Sequence, residues 1–197
     1  MRVDIFQEIG RKIMRIIILM VLILFFSIKN QAGNQAGLLF LAVLLIVFLI
    51  SEYLRLDLNI RLAFLRRFIR PKDEHKLHGV VFFILSTIIT LAVFDTAIAL
   101  AALLMTVFGD MAAAIAGKKY GTTMLFRNKT VVGFSTELIT NLVVGITVSL
   151  FFSVNIYIFI IMAFTATTVE TLTDEMEDNL MVPIISGFIG QVLLLAV

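Results

Sequence analysis

The sequence predicts an all-α, polytopic membrane protein. Of its 197 residues 60% are hydrophobic and only 15% are charged, and the mean hydropathy is +1.06. A soluble domain of this length carries far more charge. Seven apolar stretches approach the roughly 20 residues that a helix needs to cross a bilayer. Acids and bases fall in different connections instead of being mixed over one surface. Backbone in lipid must satisfy its own hydrogen bonds, so the spans are read as helices. The absence of cysteine excludes disulfides, thiolate catalysis and cysteine-based metal sites.

The first span is expected at about Ile13–Ile28. Arg11 and Lys12 precede it and Arg15 is near enough to its end to snorkel. No small-residue cleavage site follows, so it reads as a retained span and not a removed signal. A polar turn, Lys29–Ala36, leads to a second span at Gly37–Leu54, with Glu52 and Arg55 near its exit. Residues 55–78 form the longest polar connection and hold seven of the sixteen bases. Ile60, Leu62, Phe64, Leu65, Phe68 and Ile69 share one helical arc, and Arg66, Arg67 and Arg70 lie opposite, with Arg61 out of pattern. That describes a basic amphipathic helix on the membrane surface near 58–70, ended by Pro71. His75 and His78 sit among Lys72, Asp73, Glu74 and Lys76 and read as surface loop.

The run from Gly79 to Gly117 is too long for one span and divides at Asp95 into Gly79–Phe94 and Thr96–Gly117. A fifth span is expected at Val132–Phe152, a break at Ser153–Asn155, a sixth at Ile156–Val169 and a seventh at Leu180–Val197. The whole is read as one integral membrane domain, 1–197, with its motifs in about 79–197. With seven spans and the N-terminus inside, fifteen of the sixteen bases face the cytoplasm and only Lys29 lies outside. The positive-inside rule therefore predicts a cytoplasmic N-terminus and cytoplasmic motif loops.

Asp110 sits towards the end of a long apolar run, and an acid inside a span asks for a reason. It reads either as a helix-end aspartate among headgroups or as a magnesium or phosphate-site acid. Hard divalent cations take carboxylate oxygens. Ala112, Ala113, Ala114, Ala116 and Gly117 keep its helix slim, which favours close packing. Lys118, Lys119, Arg127 and Lys129 follow, with Gly117, Gly121, Gly133, Thr122, Thr123, Asn128 and Thr130 around them. Ammonium groups, hydroxyls and backbone amides are what a polyphosphate needs, although no GxxxxGK[ST] phosphate loop occurs. Glu137 and Asn141 lie one turn apart on the fifth span, placed to bind a substrate hydroxyl or to pair between helices. Glu170, Asp174 and Asp178 recur every four residues and share a face if the sixth helix continues. With Glu175 and Glu177 they make a connection without a single base, whose repulsion divalent cations or the 118–129 segment would relieve.

At these residues the chain resembles the polyprenol kinase family, which includes dolichol kinases, phytol kinases and CTP-dependent diacylglycerol kinases. Gly109-Asp110, Ala113 and Gly117-Lys118-Lys119-Tyr120-Gly121 are similar to its GD-x-x-A-x-x-x-G-[RK]-[RK]-x-G segment. Lys129-Thr130-Val131-Val132-Gly133 is similar to its K-[ST]-x-x-G motif. Glu170 and Asp178-Asn179-Leu180-Met181-Val182-Pro183 resemble its late E…DDNL-x-[IV]-P segment, with Glu177 where the family usually has Asp. Glu8, Arg11 and Lys12 resemble its opening, and Glu52 and Arg55 an E-x-x-R after the second span. Met14 and Arg15 stand where many members have a histidine.

The resemblance implies transfer of the terminal phosphate of CTP to a membrane lipid alcohol, an isoprenoid alcohol or diacylglycerol, with Mg²⁺. It implies metal binding by Asp110, Glu170 and Asp178. Gly117, Lys118, Lys119, Gly121, Lys129, Thr130 and Asn179 would bind nucleotide, and Asp110 or Glu137 would serve as base. The expected partners are the lipid alcohol, a nucleoside triphosphate and membrane lipids, with no nucleic acid; a homo-oligomer is compatible with the sequence. A CTP:phosphatidate-type cytidylyltransferase shares the order of the first two motifs, but its Ser-Pro-Lys-Lys-Thr stretch is replaced by Phe126-Arg127-Asn128-Lys129-Thr130. A small ion-coupled transporter would spread its acids through membrane depth, whereas these lean to one face.

Overall fold

The computed structural model describes residues 5–57, 79–126, 129–173 and 178–196, with side chains from residue 18 onward. The amphipathic stretch near 58–70 lies outside the described residues. So do His75, His78, Arg127, Asn128 and the acids between 174 and 177, and the side chains of Glu8, Arg11 and Lys12.

Seven α-helices occur among the described residues: α1 (Ile5–Ala32), α2 (Asn34–Leu56), α3 (Gly79–Val93), α4 (Thr96–Tyr120), α5 (Val131–Phe152), α6 (Ile156–Leu172) and α7 (Asp178–Ala196). They follow the seven apolar stretches of the sequence, most ends within about three residues. Four of them, α2, α4, α5 and α7, are long and apolar enough to cross a membrane; Ile18–Ala32, Gly79–Val93 and Ile156–Leu172 are shorter apolar helices. The chain is therefore a helical protein of membrane type.

Three departures from the sequence reading bear on the site. First, α4 runs on through Lys118 and Lys119 to Tyr120, so these lysines belong to a helix end and not to a loop. Second, the connection that follows contains a small antiparallel hairpin, β1 (Met124–Phe126) and β2 (Lys129–Thr130), which pairs Met124 with Thr130 and Phe126 with Lys129. Third, the sixth helix does not continue. It stops at Leu172, where the Thr173 backbone turns extended while its N–H and hydroxyl both donate to the Val169 carbonyl. Glu170 and Asp178 thus sit on successive helices, α6 and α7, and do not share one helix face.

Two compact units divide the chain, Met1–Ile88 and Ile89–Val197. In the first, α1 and α2 form a hairpin about Gly33, whose φ of 89° is one that a side chain disfavours. Phe25 is fully buried against Gly37, where a Cβ would come within 2.8 Å of its ring. Near the end of α2 the Arg55 guanidinium donates to both carboxylate oxygens of Glu52, at 3.2 and 2.5 Å.

The second unit carries the motifs. Here α4 packs against α5, α6 and α7, and short connections make successive helices antiparallel. The core joins Ala97, Ile98, Ala101, Ala102 and Met105 of α4 to Ile158, Phe159, Met162, Ala163 and Ala166 of α6. Without a hydrophobic force between helices in lipid, small residues that admit close approach do the joining. Ser153, in the left-handed region, and Asn155, whose side chain accepts from the Tyr157 N–H at 3.1 Å, make the tight turn between α5 and α6. At the same end the Gln191 amide of α7 grips Asp95, accepting from its N–H at 2.8 Å and donating to its carboxylate at 2.7 Å. The opposite end of these four helices holds Lys118, Lys129, Glu170 and Asp178.

Gly145 of α5 marks a close crossing. A Cβ there would lie 3.0 Å from Phe159 Cβ and 3.1 Å from Met105 Cε. Gly145→Leu is expected to destabilise the protein by about 1–3 kcal/mol, the scale of overpacking. Unfolding in mixed detergent–SDS micelles measures this, with Ile146→Leu on the exposed face as the near-neutral control.

Candidate functional site

The antiparallel alternation of α4 to α7 sorts the acids. Asp110 lies in the second half of α4, Glu137 in the first half of α5, Glu170 in the last turn of α6 and Asp178 in the first turn of α7. Each position is towards the same end of its helix pair, so four carboxyls from four helices come within electrostatic range of one another. Glu137, Glu170 and Asp178 are buried, the first two at 1% exposure, and Asp110 is half-buried. The Glu137 and Glu170 side chains meet directly.

An ammonium group from the hairpin enters this cluster. Lys129 Nζ donates to Glu170 Oε1 at 2.9 Å and also senses the charges of Asp178 and Glu137. Burial works to lower the Lys129 pKa, but the neighbouring carboxylates, Glu170 foremost, outweigh it and hold the ammonium above the ordinary lysine value. A raised pKa means that the lysine's contribution to stability is complete below the unfolded lysine value. It is lost only as the pH climbs through the raised one, so the pair is intact at neutral pH.

Lys129 reaches inward because the hairpin folds back on α4. Thr130 caps α5, its Oγ1 accepting from the Gly133 N–H at 3.1 Å, and the Val131 N–H donates to the Thr123 carbonyl at 3.0 Å. Three glycines leave room for this. A Cβ on Gly121 would lie 2.6 Å from Thr130 Oγ1 and would run into the Gly117 carbonyl; one on Gly117 would lie 3.0 Å from the same hydroxyl and one on Gly133 3.2 Å. The geometry thus gives Gly117, Gly121 and Thr130, all expected at a nucleotide site, a packing role that orients Lys129. Lys118 and Lys119 are exposed in the last turn of α4, Lys119 Nζ standing 5.0 Å from the centre of the Tyr120 ring. The Asn179 backbone bonds to the Asp178 carboxylate at the start of α7.

Beneath the acids lies a neutral polar layer. Asn141 Nδ2 donates to Thr167 Oγ1 at 3.0 Å, and the Asn141 amide is pressed onto Gly109, where a Cβ would lie 2.5 Å from its Oδ1. Thr167 had no mark in the sequence that set it apart from Thr165 and Thr171, whose hydroxyls merely bond back to their own helix. The usable signal was spacing. Glu137 and Asn141 on α5, and Thr167 and Glu170 on α6, are each one turn apart on antiparallel neighbours, so they meet as two rungs.

Two acceptor oxygens in these rungs, Glu137 Oε1 and Asn141 Oδ1, are buried with no hydrogen-bond partner among the described residues. Such groups call for a donor or a cation. Carboxylate and amide oxygens are the donor set of a hard divalent cation. No three acids or histidines among the described residues close into a metal cage. The carboxyls gathered here therefore fit a cation that brings ligands of its own, as Mg²⁺ on a polyphosphate does with one or two protein carboxylates, and the two orphan acceptors beside them fit a hydroxyl donor.

Lys129→Met leaves Glu170 buried without its partner and is expected to destabilise the protein by about 3 kcal/mol. Adding Glu170→Gln should restore most of that loss. Paired unfolding curves of the single and double variants in mixed micelles at neutral pH measure both effects.

No protein-family model, no curated protein and no solved structure matches this chain.

Proposed function

We propose that the chain is a membrane-embedded phosphotransferase that carries the terminal phosphate of CTP to the hydroxyl of a membrane lipid alcohol. The observation that supports this reading is the gathering of four carboxyls and Lys129 at one end of α4 to α7, the end that also bears Lys118 and Lys119. Phosphoryl transfer depends chiefly on in-line positioning and on neutralising phosphate charge, and this end offers groups for both. In the proposed topology all seven helices span, the N-terminus is cytoplasmic, and the carboxyl cluster faces cytosolic nucleotide.

Mg²⁺ brought in on the nucleotide would be held by one or two of Asp110, Glu170 and Asp178, and when bound it screens the charge of the phosphates. Lys118, Lys119 and Lys129 neutralise phosphate oxygens, Lys129 from a position already shared with Glu170. The lipid hydroxyl oxygen attacks the terminal phosphorus, the bond from that phosphorus to its bridging oxygen breaks and CDP leaves. The hydroxyl proton passes to a carboxylate, for which Glu137 and Asp110 are the candidates. Asn141, with an acceptor oxygen one turn below Glu137, serves to orient the hydroxyl.

The test uses purified protein, Mg²⁺, a panel of prenols and diacylglycerol, and CTP labelled at the γ- or the α-phosphate. Label is expected in lipid from γ-labelled CTP only, and Asp110→Asn should lower the rate at least about 100-fold, the scale for removing one electrostatic partner of a transition state. Label from α-labelled CTP on added phosphatidate would replace this reading by cytidylyl transfer. No transfer from CTP, ATP or GTP would sink it.

A further inference from the structure

The hairpin presents a surface that the chemistry above does not use. Met124, Leu125 and Phe126 are three consecutive large apolar side chains, and they are 66%, 46% and 43% exposed. A solitary two-stranded hairpin is marginal in water, and an exposed apolar strand is an invitation to aggregate. Something apolar must receive these side chains.

The geometry indicates what lies at that depth. The hairpin joins two membrane-type helices, and β1 begins four residues after α4 ends. Tyr120, the last residue of α4, is exposed, as befits an aromatic at the level of lipid headgroups. The strands do not stand off from this level, because Thr130 packs on Gly117 and Gly121 at the end of α4 and its neighbour Val131 is bonded to Thr123. Lys118 and Lys119 are exposed beside them, at a height where ammonium groups meet lipid phosphates. Apolar side chains, an interfacial tyrosine and lysines in one short segment suit the boundary between headgroups and acyl chains.

We propose that β1 is an interfacial anchor, with Met124, Leu125 and Phe126 inserted into the headgroup–acyl boundary of a phospholipid leaflet. The register adds a consequence: Phe126 is paired with Lys129, so the strand seated in lipid is bonded to the strand that delivers the ammonium group to Glu170. Lipid contact and the placement of that lysine are two sides of one ladder. The proposal depends on the membrane character of the helices and not on the reaction.

The chain has no tryptophan, so Phe126→Trp introduces a single reporter without background. The full-length variant is placed in phospholipid nanodiscs whose acyl chains are brominated near the headgroup end, beside unbrominated controls. The expected result is emission blue-shifted from that of tryptophan in water, loss of most of its intensity with the brominated lipid, and little further loss with dissolved acrylamide. Water-like emission indifferent to bromine would overturn the proposal. So would blue-shifted emission that bromine leaves intact, which contact with protein or with a second copy of the chain would give. Met124→Trp, at the most exposed of the three positions, is judged by the same criteria and decides the matter if Phe126→Trp does not fold.

Discussion

Charge inside an apolar bundle has to be compensated where it stands, and in this chain the pair between Lys129 and Glu170 meets that demand. Glu170 is almost wholly enclosed, and Glu137 and Asp178 are enclosed nearby. Asp110 of α4 brings a further acid to the group. The cation that pairs with Glu170 comes from a hairpin folded back over the end of α4. Much of the local sequence serves that fold-back. Gly117, Gly121 and Gly133 each clear space about the Thr130 hydroxyl, and Thr130 in turn caps α5 from the end of the strand that carries Lys129.

The same economy of space governs the interior. Ala97, Ala101, Ala102, Ala163 and Ala166 let α4 and α6 approach, and Gly145 lets α5 follow. Van der Waals contact at close range is the main attraction open to helices in lipid, so small residues stabilise here where a soluble core would use larger ones. Gly109 extends the principle to a polar group, since its missing side chain is what allows the Asn141 amide to lie flat against α4.

Polarity is consequently divided between the two ends of the second unit. One end is closed by backbone turns and by the neutral clasp of Asp95 with Gln191. The other gathers carboxyls, lysines and an apolar strand within a few residues of one another. A reaction between a water-soluble polyphosphate and a lipid hydroxyl needs such a mixed boundary, because its two substrates share no other solvent. That coincidence is the physical basis of the proposed chemistry, and the strand beside it gives the boundary a foothold in lipid.

What the sequence determined by itself was whatever hydropathy and length control. The seven apolar stretches, the division at Asp95, the break at Ser153–Asn155 and the candidacy of Asp110, Glu137, Glu170 and Asp178 were all legible, because an unbroken apolar run in lipid can only be a helix and an acid within one is conspicuous. Tertiary structure decided the rest. Glu170 and Asp178 would share a face only if the sixth helix continued, and they came together from two separate helices. Lys118 and Lys119 looked like loop residues and proved to end α4. Gly117 and Gly121, expected beside phosphates, also clear space for Thr130. Thr167 was one hydroxyl among several until α5 was laid beside it. Each of these depends on which helix face meets which neighbour, and in a chain apolar on nearly every face the periodicity of the sequence carries too little contrast to specify that.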